Sequence, residues 1–182
     1  MGDPVAVRLG PGNLYMAAIG TPEPTDLASP WNVGFVPLGY TDEGSSVVFN
    51  NTFENVNVAE ELEPIYVLQT MREINVNFAL AELTALNLQR AFNGGDVVTA
   101  GGLVTFEPPD AGEYTPVMLG WESDDGLERW VFRKCMQVGT VEIARRKAPV
   151  KATLPMTFRC TKPSGEAAFL FIQSEDYDEL GS

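Results

Sequence analysis

The amino-acid sequence predicts a mainly β protein, a β-sandwich or partly open barrel with one flanking α-helix. Three observations predict it. Residues 72–80 alternate Ile74, Val76, Phe78 and Leu80 with Glu73, Asn75 and Asn77, the period-2 pattern of a strand with one buried face. The period changes to 3.6 over residues 80–93, where Ala81, Ala85, Leu88 and Phe92 form the central stripe of an amphipathic helix. After Gly95 the chain is a series of short strand-like runs separated by turn signals, the pattern of layered or barrel-like β architectures.

From the N-terminus, residues 5–7 and 14–19 read as short strands broken by Gly10-Pro11-Gly12, and residues 21–30 as a turn-rich linker. Residues 1–30 are therefore expected to be an extended arm with little core of its own, either disordered or ordered by docking. An apolar strand ends near Tyr40, and Thr41-Asp42-Glu43-Gly44 is a turn signal. Residues 46–50 and 53–58 read as a hairpin around Asn50-Asn51, within a long hairpin bounded at 45–64. Glu60, Glu61 and Glu63 crowd its tip, which is too polar to bury in its own subunit. Glu82 suits the first turn of the helix, Arg90 the last, and Asn93-Gly94-Gly95 the stop.

Farther along, residues 102–107 read as a strand leading to Pro108-Pro109-Asp110. Residues 117–122 and 127–138 flank the hairpin signal Asp124-Asp125-Gly126, with Trp130, Phe132, Met136 and Val138 expected on one face. A strand is expected at 141–144. Ala152, Leu154, Met156, Phe158 and Cys160 then alternate with polar residues, and Pro155 marks an edge or a bulge. Residues 168–172 form a short apolar strand that could be buried on both faces. The β domain thus spans 31–174, followed by an acidic C-terminal tail at 175–182.

Composition narrows the function. With 182 residues, 45% apolar and 20% charged, the chain is one globular domain able to bury a core. No run of about 18 apolar residues predicts a membrane helix, so no membrane partner is expected. The opening MGDPVAVR lacks a basic leader and an apolar signal core, so assembly in a cytosol is the expectation. The chain has no histidine, which excludes Ser-His-Asp and Cys-His sites within it. Cys135 and Cys160 are too few for a disulfide framework or a cysteine zinc site and read as buried, reduced thiols.

The pairs Gly94-Gly95 and Gly101-Gly102 fit neither a dinucleotide nor a phosphate-loop fingerprint. The carboxylate pairs Glu60/Glu61, Asp124/Asp125 and Glu175/Asp176 are sequence neighbours rather than groups facing each other across a cleft. The run Asp124–Gly126 lacks the alternating acids of a calcium loop. The expectation is a protein without catalytic residues, metal or cofactor.

Charge is unevenly placed within the net −13. Residues 129–162 hold nine basic side chains against Glu142 alone, while residues 1–70 hold nine acids against Arg8. Three readings remain open: acidic surface of one copy meeting basic surface of the next, local pairing of outward-facing side chains, or nucleic-acid binding. The acidic pI of about 4.3 and the missing aromatic-arginine stacking pattern argue against the third.

The order N-L-Y-M-A-A-I-G-T-P at 13–22, W-x6-L-G-Y-T-D-E-G at 31–44, a polar hairpin, then R-E-I-N-V-N-F-A-L-A-E-L-T-A-L-N-L-Q at 72–89 resembles the major tail tube proteins of long-tailed bacteriophages. The resemblance covers the N-terminal half well and the C-terminal half in strand pattern only. It implies hexameric rings stacked into a tube whose inner wall is a β-barrel built by six copies, a conduit for double-stranded DNA passing without specific binding. The arm and hairpin would contact neighbouring copies or rings, closing the exposed strand edges. Interface candidates are Leu14, Tyr15, Trp31, Phe53, Glu60, Glu61, Glu63, Arg145, Arg146 and Lys147, and lumen candidates are Asn75 and Asn77. Implied partners are further copies of the chain and the tape measure, terminator and distal tail proteins. The implied location is the virion tail, of the long, flexible, non-contractile kind, assembled in the host cytoplasm. Alternatives are another ring-forming tube or tail-completion protein, including one of a secretion system, or a ligand-binding β-sandwich using Trp31, Trp121 and Trp130.

Overall fold

A computed structural model describes residues 12–175 except 144, 146, 148 and 149. The expected strand at 5–7 and most of the acidic tail fall outside the described residues. The elements run β1 (Gly12–Ala18), β2 (Val36–Pro37), β3 (Thr41–Val56), β4 (Tyr66–Leu80), α1 (Ala85–Ala91), β5 (Asp96–Ala100), β6 (Leu103–Glu107), β7 (Val117–Ser123), β8 (Glu128–Gln137), β9 (Leu154–Cys160) and β10 (Phe169–Gln173). The mainly β architecture with one short helix is as expected.

The main sheet is antiparallel with the order β2-β1-β7-β8-β9-β4-β3, and it is an open path rather than a closed barrel. One edge of β8 is shared. Its first half, residues 128–132, pairs with β10, and its last residues, 135–137, pair with β9. The chain therefore forks at Arg133-Lys134, where Arg133 N donates to Ala168 O and Thr161 N donates to Lys134 O. The fork lets β9, β4 and β3 curl over the other strands until Phe49 of β3 meets Phe169 of β10, ring centroids 5.6 Å apart.

The core lies between these two layers. Ile74, Val76, Phe78 and Leu80 of β4 and Leu154, Met156, Phe158 and Cys160 of β9 face Leu14, Met16, Leu119 and Phe132. The strict alternations in β4 and β9 supply one apolar face each. Pro155 sits beyond the last β8 pairing, where its missing N–H breaks no ladder on that side.

A second cluster covers the opposite face of β1, β7 and β8: Ala17, Phe35, Met118 and Val131, with Tyr15, Trp31 and Leu170 packed on it. For residues 12–30 this corrects the expectation of an arm with little core of its own. β1 pairs with β7 along its whole length, and the segment after it lies over the outer face of the sheet. The physical reason is that β1 carries apolar side chains on both faces, Leu14 and Met16 inward, Ala17 outward, so it needs cover on both.

Other expectations shift for local reasons. The hairpin does not turn at Asn50-Asn51. These residues pair with Glu73 and Arg72, and β3 and β4 continue to the Val56↔Tyr66 pair. Thr41–Gly44 is a bulge inside β3, Gly44 taking the left-handed conformation at φ 84°, not a turn between elements. The helix is shorter than 80–93 because Ala81 N still donates to Tyr40 O, and Thr84 then caps Asn87 N with its hydroxyl at 3.1 Å. Its buried residues are Asn87 and Ala91.

In β8 the expected face of Trp130, Phe132, Met136 and Val138 breaks after Phe132. A register shift opposite Val117–Leu119 turns Cys135 and Gln137 inward instead. The described residues of 138–153 form no strand, including those of the expected strand at 141–144. The expected strand at 102–107 is β6, and it forms with β5, which was not expected, a hairpin that turns on Gly101-Gly102, both at positive φ (59° and 78°), and packs on α1 through Phe106 against Phe92.

Candidate assembly surface

The β3–β4 hairpin extends well past the core. Burial in β4 stops at Ile74, and every residue from Tyr66 to Arg72 is exposed, as are residues 48–63. At about 3.3 Å per residue, those seven positions of β4 alone project by roughly 23 Å. The projection is not polar throughout. Phe53, Tyr66, Val67, Leu68 and Met71 are each more than half exposed, and Leu62 at the tip is fully exposed. Glu60, Glu61 and Glu63 flank Leu62. Apolar surface of this kind, rimmed by charge, marks a contact site on a soluble protein.

β3 is also the last strand of the sheet, so the sixteen residues Thr41–Val56 pair on one side only. An edge of that length is a template for further pairing. Polar side chains cover the outer face beside it. Asn75 stands between Val48 and Arg159, and Asn77 between Ser46 and Thr157. Arg159 Nε donates to Asn75 Oδ1 at 3.4 Å, and its Nη1 lies 3.3 Å from Glu73 Oε1. Asn77 Nδ2 donates to Ser46 Oγ at 3.5 Å. The face is mostly polar, with Val48 partly exposed on it, and Arg159 there is paired with Glu73.

The structure separates the residues nominated as interface candidates. Phe53, Glu60, Glu61 and Glu63 share the projecting hairpin, and Arg145 and Lys147 are exposed on the connection from β8 to β9. Arg146 lies outside the described residues. Leu14 is only 3% exposed and fills the protomer's own core, so it is not available at this surface.

Tyr15 and Trp31 are half-buried and hold the chain to itself. Their rings stack at 4.7 Å. Trp31 Nε1 donates to Glu122 Oε2 at 3.0 Å, and Tyr15 Oη donates to the same oxygen at 3.4 Å. Arg129 Nε donates to Glu122 Oε1 at 2.8 Å, its guanidinium lies 5.3 Å from the Trp31 ring centroid, and its Nη1 donates to Asp26 O and Ser29 O. Burial, then the charge and hydrogen bond of Glu122, raise the Tyr15 hydroxyl above its ordinary pKa. Trp121 and Trp130 pair across β7 and β8 and pack on the inner core, so the three tryptophans belong to two clusters on opposite faces.

Among the described residues, members of the basic block pair within the chain: Arg129 with Glu122, Arg133 with Glu23, Lys151 with Asp42 and Arg159 with Glu73. For these the local-pairing reading holds.

The apolar stretch Ile65 to Leu68 is not among the expected interface residues, although it is exposed on the overhang. Its signal was the lack of any turn residue between it and the strand at 72–80, which marks one long strand instead of a tip followed by a strand.

Among solved structures, the chain is similar to Hcp1 from Salmonella typhimurium, at 9% identity over 92% of this chain and 97% of that chain, with a TM-score of 0.35, a distant likeness. No curated protein sequence matches. A family model described as phage tail tube protein matches residues 3–180. That match spans almost the whole chain, and the protein belongs to the phage tail tube family, structural subunits that self-assemble into the tube of the virion tail.

Proposed function

We propose that six copies of this chain close into a ring, that rings stack into the tail tube, and that the tube conducts the double-stranded genome from capsid to host. The observation that carries the reading is the β3–β4 hairpin, a long one-sided edge with an overhang whose apolar side chains have no cover among the described residues. Pairing of β3 with the next copy would remove the edge, and seating of the overhang on a neighbour would bury Phe53, Leu62 and Leu68. The acidic tip of Glu60, Glu61 and Glu63 then meets the basic connection carrying Arg145 and Lys147 on another copy, which favours one register over others.

The face of Asn75 and Asn77 lines the lumen in this reading. It offers DNA hydrogen-bonding side chains and a cation tied to Glu73, while the chain's net −13 repels phosphate, so the polymer slides without gaining affinity at each step. The walls act passively, without catalysis. The tube domain includes β1, which pairs with β7 and supplies Leu14 and Met16 to the core. The tape measure, terminator and distal tail proteins meet the tube, and assembly takes place in the host cytoplasm. Native mass spectrometry at rising protein concentration tests the ring. Species in multiples of six copies are expected, and a strictly monomeric protein at high concentration overturns the reading.

A further inference from the structure

Cys135 of β8 and Cys160 of β9 lie directly opposite each other, with their Sγ atoms 3.0 Å apart. The surrounding hydrogen bonds define the kind of pair. Thr161 N donates to Lys134 O at 2.8 Å and Val138 N donates to Thr157 O at 2.9 Å, so the 134/161 and 138/157 pairs are the hydrogen-bonded ones. Alternation makes 135/160 a non-hydrogen-bonded pair, the position where antiparallel Cα atoms approach to about 4.5 Å. A disulfide tolerates Cα separations of about 4.4–6.8 Å. Both thiols are free, Cys135 1% exposed and Cys160 7% exposed. They stand just past the fork at which β9 and β10 part from β8, the hinge of the two layers.

We infer that Cys135 and Cys160 form a cross-strand disulfide that staples β8 to β9 at this fork when the protein meets an oxidant such as hydrogen peroxide, outside the reducing interior of the cell. Cys160, the more exposed thiol, reacts first. Its thiolate attacks one oxygen of peroxide, forming a sulfenic acid while the O–O bond breaks and the departing hydroxide leaves as water with the thiol's proton. The Cys135 sulfur then attacks the sulfenic sulfur. The S–S bond forms, the S–O bond breaks, and a second water carries off the Cys135 proton. Two thiols and one peroxide give one disulfide and two waters.

Burial, followed by the neighbouring Cys160, holds the Cys135 thiol well above its usual pKa. Little thiolate is therefore present near neutral pH, which makes oxidation of the pair slow. The two cysteines are separated by 25 positions. Closing a loop of that length restricts the unfolded chain and raises the melting temperature by about 5–10 °C.

The test treats the purified full chain with hydrogen peroxide, beside Cys160→Ser. The expected result is joint loss of both thiols titratable in guanidinium, an intramolecular 135–160 peptide under non-reducing conditions, and a melting temperature raised by about 5–10 °C that dithiothreitol reverses. Cys160→Ser is expected to show neither the linked peptide nor the rise. Thiols that persist, separate sulfinic products, links between chains, or a linked protein that melts no higher than the reduced one would overturn the proposal.

Discussion

Trp31 lies so close on Gly120 that a β-carbon at position 120 would fall 2.6 Å from both Cη2 and Cζ3 of the indole ring. The contact presses the segment after β1 onto the outer face of β7. Gly120→Ala is expected to displace the ring and destabilise the protein by about 1–3 kcal/mol, as overpacking does. Urea denaturation measures the loss. An unchanged midpoint would show that the indole moves aside freely.

The second clamp on that segment is Glu23 with Arg133. Arg133 Nε donates to Glu23 Oε1 at 2.7 Å and Nη2 to Oε2 at 2.9 Å, a two-point fork. The Glu23 hydrogen bond raises the Arg133 pKa, so the guanidinium stays charged throughout the working range. Glu23→Gln keeps the shape and removes the charge. It is expected to cost about 1–2 kcal/mol at low salt, and less in concentrated salt, because both side chains reach solvent.

Asn93 ends the helix at φ 59° and spends its side chain on β8. Its Nδ2 donates to Gln137 O at 2.8 Å, and its Oδ1 accepts from Gln137 N at 2.7 Å, so the amide stands in for a strand. Asn93→Ala loses both bonds and strains the backbone, at about 2–3 kcal/mol. Asn93→Gly loses the bonds alone and is expected to be milder by about 1 kcal/mol. Equal losses would show that the left-handed backbone carries no strain there.

Tyr15 sets an alkaline limit. Its folded pKa is raised above 10.0 by burial and by Glu122. The neutral phenol is favoured in the folded state, so its contribution is fully present below the unfolded pKa. It falls away as pH rises from that value through the folded pKa. The urea midpoint of the wild type relative to Tyr15→Phe is expected to be flat below pH 9 and to drop above about pH 10. A difference that stays constant across that range would contradict the assignment.

How much of this was legible in the sequence depends on how local each signal is. The alternation at 72–80 and the hairpin around Asp124-Asp125-Gly126 are written in period and turn chemistry alone; the hairpin appears as read, while the strand begins earlier, at Tyr66. The hairpin near Asn50-Asn51 was misplaced because two turn-prone residues were weighed without their cross-strand partners, Glu73 and Arg72. The β8 register shift lies in its pairing with β7, and nothing in residues 127–138 by themselves announces it. For the assembly surface, Phe53 and the acidic tip were readable as parts that could not bury themselves. Leu14 was not, since the same alternation serves an exposed arm and a central strand equally well.

In the proposed tube the β3–β4 overhang is the contact that joins copies, and electron microscopy of a hairpin variant tests it. Leu62 is fully exposed and Phe53 and Leu68 more than half exposed, so replacing all three with serine is expected to leave the protomer's melting temperature within about 2–4 °C of wild type. Negative-stain images of wild type are expected to show rings or tubes, and those of the folded triple variant only dispersed single molecules. Tubes formed equally well by the variant would show that the overhang does not join copies.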